Sequence, residues 1–97
     1  MSIAQTYILN AARGKEAEAQ AVLERMAQAV RPLHGCESVL VLQDQETPQR
    51  FIFIETFVDA AAHKASAPMM PKEILSALGA VLDGPPDGST YAILADL

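Results

Sequence analysis

Residues Arg50–His63 have the sequence RFIFIETFVDAAAH, in which a strand pattern passes directly into the start of a helix. Successive side chains of a strand point to opposite faces. The two resulting sets are Phe51, Phe53, Glu55 and Phe57 on one face, and Ile52, Ile54, Thr56 and Val58 on the other. Both sets are mostly apolar, whereas a strand with one face in water normally alternates apolar and polar residues. The stretch therefore predicts a strand covered on both faces.

Two further strands and a helix are predicted before this stretch. Ile3–Asn10 has a strand pattern, and Cys36–Gln43 contains a nearly continuous Val and Leu run that we expect to be buried on both sides. From Lys15 onward, apolar residues recur with helical spacing through Leu33. Pro32 and Gly35 mark the end of this helix.

The C-terminal part predicts another helical region and a last strand. Asp59 is a plausible N-cap for a helix over Ala60–Ala65, because its side chain can accept from free amide groups of the first turn. Two prolines interrupt that helix, and a second amphipathic segment begins at Lys72. The last strand is predicted over Thr90–Ala95.

The order strand, helix, strand, strand, helix, strand predicts an α+β fold, the ferredoxin-like plait (βαββαβ). This fold has a four-stranded antiparallel sheet with its helices on one face. The length indicates one domain over residues 1–97. The other face would carry Ile52, Ile54 and Val58, and a contiguous apolar surface is not expected in water. A second copy stacked on this face would cover it, so we predict a homodimer.

Composition and charge exclude several classes of partner and site. Seven basic and twelve acidic residues give a net charge of −5, which disfavours nucleic acid and anionic membranes. No apolar run approaches the roughly 20 residues that span a bilayer, and no signal-peptide pattern precedes Ala12, so we expect a cytoplasmic protein. The lone Cys36 cannot form an internal disulfide and is expected to be an inert thiol. One cysteine and two histidines show no recognisable metal-ligand spacing, so no metal is predicted.

Four short motifs carry a family resemblance that extends over roughly residues 3 to 95. They are the helix start Gly14-Lys15-Glu16, HGCESV at His34–Val39, Pro48 before RFIFIETF, and Glu55-x-Phe57-x-Asp59. Together they resemble the antibiotic biosynthesis monooxygenase family. The resemblance implies a dimeric α/β barrel and, in some members, oxygenation of phenolic or quinol-like compounds without metal or flavin. A pocket between helices and sheet would deprotonate the substrate, whose anion then reduces oxygen.

This chain departs from the family pattern at three positions. The family often has Glu-x-Trp where Phe57 stands here, and its histidine on the following helix usually lies about one turn beyond His63. Either the helix is shortened, or Ser66 occupies that place and His63 is unrelated to it. Haem-cleaving members have an asparagine where Tyr7 aligns, so haem degradation is not expected.

Glu55, His63 and Tyr7 are the candidate catalytic residues. The flanking Phe53 and Phe57 would desolvate the Glu55 carboxylate, which raises its pKa and suits it to proton transfer. His63 could accept a phenolic proton, and Tyr7 could donate a hydrogen bond to substrate or reduced oxygen. The predicted pocket walls are Phe53, Phe57, Met26 and Met69. Each candidate also has a structural alternative, and the same residues would suit a dimeric module that binds an aromatic metabolite without turnover.

Overall fold

The computed structural model describes all 97 residues, Met1–Leu97. The strands are β1 (Ile3–Asn10), β2 (Cys36–Gln43), β3 (Arg50–Phe57) and β4 (Asp87–Ala92), and the α-helices are α1 (Glu16–Val30), α2 (Ala60–Ser66) and α3 (Lys72–Val81). A short 3-10 helix, Ala67–Met69, joins α2 to α3. The strands form one antiparallel sheet in the order β2-β3-β1-β4. The ferredoxin-like plait is confirmed, with the second helical region divided at its prolines.

The hydrophobic core lies between the helices and one face of the sheet, here called the inner face. Phe51, Phe53 and Phe57 of β3 are completely buried there. Leu23 of α1 and Leu78 of α3 are buried in the same core. Alternate positions of β3 thus supply the floor of the core, as the two-residue period requires. No helix is long and apolar enough to cross a membrane.

The opposite face, here called the outer face, carries apolar side chains that nothing in the chain covers. Pairing across the sheet places Ile52 between Ile8 and Leu42, and Ile54 between Thr6 and Leu40. Leu40 is 53% exposed. β2 was expected to be buried on both sides, but none of its residues is buried in the single chain. It is the edge strand, so its side chains have neighbours on only one flank.

Val58 was predicted as the last outward-facing residue of the third strand, but β3 ends at Phe57. The Val58 amide donates to the Gly35 carbonyl oxygen at 2.8 Å, in the turn that leads to α2. Asp59 then caps α2, because its carboxylate accepts from the Ala62 amide at 2.8 Å. The predicted N-cap is confirmed, and Val58 is an exposed turn residue beside the outer face.

The last strand lies three residues earlier than predicted, over Asp87–Ala92 rather than Thr90–Ala95. β4 pairs with β1 from Ile8 opposite Asp87 to Ile3 opposite Ala92. β1 begins at Ile3, and beyond this residue only the Ile93 amide donates across, to the Ser2 carbonyl oxygen at 3.1 Å, so the paired strand does not continue to Ala95. The pattern of Tyr91 and Ile93 could not show where the partner strand ends.

Candidate functional site

Glu55 and His63 form a buried polar pair between the sheet and α2. His63 Nε2 lies 3.0 Å from Glu55 Oε1, and Glu55 is only 5% exposed. Glu55 is on the inner face because alternate residues of a strand point the same way, as Phe53 and Phe57 do. The Asp59 cap starts α2 immediately after β3, so the helix turns back over the strand and brings His63 above Glu55.

The position of His63 is fixed by packing as well as by the carboxylate. Its ring packs edge-on against Phe57, with ring centroids 5.3 Å apart and planes at 67°. Edge-to-face contact of this kind is a favoured aromatic geometry. The imidazole is therefore held between an aromatic ring and a carboxylate, so that one ring nitrogen is directed to Glu55.

Burial raises the pKa of the Glu55 carboxyl, because desolvation disfavours its charged form. The charge and hydrogen bond of His63 act in the opposite direction and lower it. The 3.0 Å contact between His63 Nε2 and Glu55 Oε1 is short enough for a proton to pass between the two groups. A pair of this kind is suited to general acid–base chemistry.

Tyr7 faces the same space from β1. It is directly opposite Phe53 in the β1–β3 ladder, and the two rings are tilted at 51° with centroids 6.4 Å apart. Burial raises the pKa of the Tyr7 hydroxyl, and the negative charge of Glu55 adds to that effect. The hydroxyl consequently stays protonated near neutral pH and can donate a hydrogen bond.

These polar groups line a cavity of about 220 Å³ under the connection between α2 and α3. The lining residues are Tyr7, Met26, Val30, Glu55, His63, Ser66, Ala67, Met70 and Leu75. Most of the lining is apolar. An apolar cavity of about 150 Å³ is enough to hold benzene, so this one has room for a substituted or fused aromatic ring.

The structure brings Tyr7, Glu55, His63 and Met26 of the predicted residues to this cavity. Phe53 and Phe57 do not form its walls, because both are completely buried beneath it. Met69 does not line it either. That side chain is 64% exposed and borders a separate depression beside His34, while Met70 faces the cavity instead.

Both residues left open for the family histidine position, His63 and Ser66, line the cavity. They are one helical turn apart on α2. The Ser66 hydroxyl donates to the His63 carbonyl oxygen at 2.6 Å, so it is engaged with the helix backbone. Of the two, only His63 contacts Glu55.

Gln5 is a buried polar residue of this region that the sequence did not single out. It is 7% exposed, stands opposite Glu55 in the β1–β3 ladder, and accepts a hydrogen bond from the Thr90 hydroxyl. Gln5 shares the face of β1 with Ile3 and Tyr7, so strand alternation could have indicated that its side chain points into the core. Leu75 belongs to the apolar stripe of α3, which predicts burial but not a place at the cavity. Met70 lies in the proline-containing connection before α3, where no periodic pattern distinguishes it from Met69.

Comparisons with known proteins agree with this architecture. Residues 1–67 match the family model for antibiotic biosynthesis monooxygenase. A search of curated protein sequences finds no significant match.

Solved structures similar to this chain come from several organisms. Rv0793 from Mycobacterium tuberculosis superposes with a TM-score of 0.83 at 16% identity, covering 99% of this chain and 98% of that one. SnoaB, a cofactor-independent oxygenase from Streptomyces nogalater, gives 0.84 at 17% identity, covering 99% and 96%. NE2512 from Nitrosomonas europaea, a protein of unknown function, gives 0.85 at 20% identity, covering 99% and 92%. At these identities the similarity establishes the fold.

Proposed function

The chain belongs to the antibiotic biosynthesis monooxygenase family, and we propose that it oxidises a small phenolic or quinol-like compound with molecular oxygen and without a metal or organic cofactor. The observation that carries this proposal is the buried Glu55–His63 pair at the edge of an apolar cavity. The apolar lining suits an uncharged aromatic ring, and the pair supplies the proton transfer that activates it.

In the proposed reaction, the Glu55–His63 pair removes the hydroxyl proton of the bound substrate. The resulting anion is electron-rich and transfers an electron to oxygen, and the two radicals combine at carbon to form a peroxide. The proton taken by the pair returns to this peroxide anion and gives a hydroperoxide. Loss of the hydrogen on the same carbon together with the terminal hydroxyl then releases water and leaves the other oxygen atom in the product as a carbonyl. His63 is the group that contacts the substrate, because Glu55 is more deeply buried behind it.

Tyr7 is proposed to donate a hydrogen bond to the developing anion or to the peroxide. Its raised pKa keeps the proton on the hydroxyl, so that it stabilises negative charge without being deprotonated itself. Donors directed at developing charge in a site with little water are among the larger contributions to catalysis.

Oxygen uptake with a panel of anthrones and naphthohydroquinones tests the proposal, after treatment with chelator and removal of flavin. We expect uptake above the spontaneous rate, and a decrease in kcat of about 10²-fold or more in His63→Gln and Glu55→Gln, as expected for loss of a general base. His34→Gln is the matched control, because His34 lies outside the cavity. Absence of uptake across the panel, or equal rates in all three variants, contradicts the proposal.

A second candidate function is a binding module that holds an aromatic metabolite without turnover. The mostly apolar lining of the cavity favours it, since such a surface binds a ring whether or not proton transfer follows. The same two variants separate the alternatives. A binding module keeps its affinity for 1-naphthol in His63→Gln and consumes no oxygen with any compound, whereas an oxygenase loses turnover.

We also propose that two copies associate through the outer face. The support is the uncovered apolar surface around Ile52 and Ile54, whose ladder neighbours Ile8, Leu40 and Leu42 are all exposed. Isologous stacking buries this surface on both copies at once. Sedimentation equilibrium at micromolar concentration tests the proposal, and a mass of 10.4 kDa throughout would contradict it. The cytoplasmic location stays a prediction, which cell fractionation tests.

A further inference from the structure

A second concavity, here called the α3 groove, adjoins the candidate cavity. It has a volume of about 390 Å³ and runs along α3 to the segment that leads into β4. One side of the groove is formed by Leu75, Leu78, Gly79 and Leu82. The other side is formed by Gly84, Pro85 and Pro86. Leu75, Leu78 and Gly79 lie on one face of α3, and Leu82 is the extended residue that follows the helix. Leu75 lines both the groove and the cavity, so its side chain lies between the two adjacent spaces.

The groove and the cavity differ in chemistry. No lining residue of the groove carries a charge or a hydrogen-bonding side chain, whereas Tyr7, Glu55, His63 and Ser66 all line the cavity. The combined site therefore has one polar region and one apolar region. This division suits an elongated molecule with a polar head and an uncharged tail.

Gly79 leaves the floor of the groove open. A Cβ added at this position would meet no atom within 4 Å. Glycine inside a helix is less favourable than alanine, and Gly79 lies in the interior of α3 rather than at a turn. The groove volume of about 390 Å³ gives room for a substituent several carbon atoms long.

We infer that the ligand of this site is an amphiphilic phenol, with its aromatic head in the cavity and an apolar substituent in the α3 groove. The placement of the head rests on the proposed function, and the placement of the tail rests on the groove. Leu75 is the boundary that the substituent passes. The groove adjoins the cavity at Leu75, which favours one elongated ligand across both spaces, and a second copy of the chain on the groove is one outcome of the test below.

Isothermal titration calorimetry with resorcinol and 4-hexylresorcinol tests the inference by binding alone. In the unaltered chain we expect the hexyl compound to bind at least tenfold more tightly than resorcinol. Gly79→Leu adds a side chain to the groove lining, where its Cβ would meet no atom within 4 Å, and is expected to remove this preference while changing resorcinol affinity less than twofold. Ala80→Leu adds the same side chain at an exposed position of α3 outside the groove and is expected to keep the preference. Melting temperatures confirm that both variants fold.

Each contrary outcome has a definite meaning. If both compounds bind but Gly79→Leu affects them equally or not at all, the tail does not occupy the groove and the inference is wrong. If Gly79→Leu instead changes the sedimentation mass and leaves both affinities intact, the groove is an interface between copies and the inference is also wrong. If neither compound binds, the inference and the proposed function both fail. Absence of oxygen uptake with the binding preference intact contradicts the proposed oxygenase alone.

Discussion

The inner and outer faces of β3 have similar sequences and different surroundings. Phe53 is completely buried under the helices, while its neighbour Ile54 lies on the uncovered face. Both faces are apolar enough to require cover, but the chain has helices for only one. The inner face also carries Glu55, whose burial is tolerated because His63 contacts it. We therefore propose that one face of the strand serves a small-molecule site and the other a flat apolar partner.

The largest expected difference between the faces comes from truncating adjacent residues of β3. Phe53→Ala leaves a cavity in the core and is expected to lower the free energy of unfolding by about 3–5 kcal/mol. Ile54→Ala is expected to cost less than about 1 kcal/mol in the dissociated chain, because the side chain is already partly in water. Urea denaturation at a concentration below that of self-association measures both. Equal losses would show that the outer face is packed in the single chain.

Gly35→Ala tests how α2 is held over the inner face. Gly35 has a φ of 82°, and a Cβ there would lie 2.5 Å from Ala62 Cβ and 3.2 Å from Val58 Cγ2. Left-handed backbone and overpacking together predict a loss of about 2–4 kcal/mol, measured by urea denaturation. Gly14→Ala is the control, because Gly14 also has a positive φ but its Cβ would meet nothing. If both variants lose the same amount, the close approach of α2 contributes nothing.

Ile54→Lys tests the outer face as an interface. A lysine at the centre of a stacked sheet pair would bury an unpaired charge, so we expect the dissociation constant of the proposed dimer to rise at least thirtyfold, or about 2 kcal/mol. Sedimentation equilibrium measures the change. Lys64→Glu is a suitable control for altered charge, because Lys64 is exposed on α2, away from the sheet. An unchanged dimer in Ile54→Lys places the interface elsewhere.

The smallest effect concerns the buried carboxyl of the inner face. Because burial raises the pKa of Glu55 in the folded chain, the folded state holds this proton more tightly than the unfolded state. The stability that it contributes is complete below about pH 4.3 and is lost as pH rises through the folded pKa. Glu55→Gln removes this loss, so its free energy of unfolding should exceed that of the unaltered chain by roughly 1 kcal/mol at pH 8 and by less at pH 5.5.

Urea denaturation at the two pH values checks the sign of this difference. Glu46→Gln, in the exposed loop before β3, is the matched control and should show no comparable dependence on pH. A Glu55→Gln variant that is less stable than the unaltered chain at pH 8 would show that the pair with His63 outweighs the desolvation of the carboxylate.

Much of the fold could be predicted from local pattern. Three predicted features depend only on residues close together in the sequence, and all three are present in the structure. They are the alternation of β3, the Asp59 N-cap of α2 and the apolar face of α3. The end of β4 could not be predicted in this way, because it is set by the length of β1. The exposure of β2 likewise follows from its place at the edge of the sheet, which the Val and Leu run does not encode.

For the site, the sequence by itself determined that Glu55 shares a face with Phe53 and Phe57, because alternation along a strand is a local geometric necessity. Only the tertiary structure decided that His63 contacts Glu55, that Met70 rather than Met69 lines the cavity, and that Leu75 separates it from a groove. These contacts join residues of different elements. Their distances depend on how closely α2 and α3 approach the sheet, and that approach is fixed by packing across the whole core, such as Ala62 against Gly35.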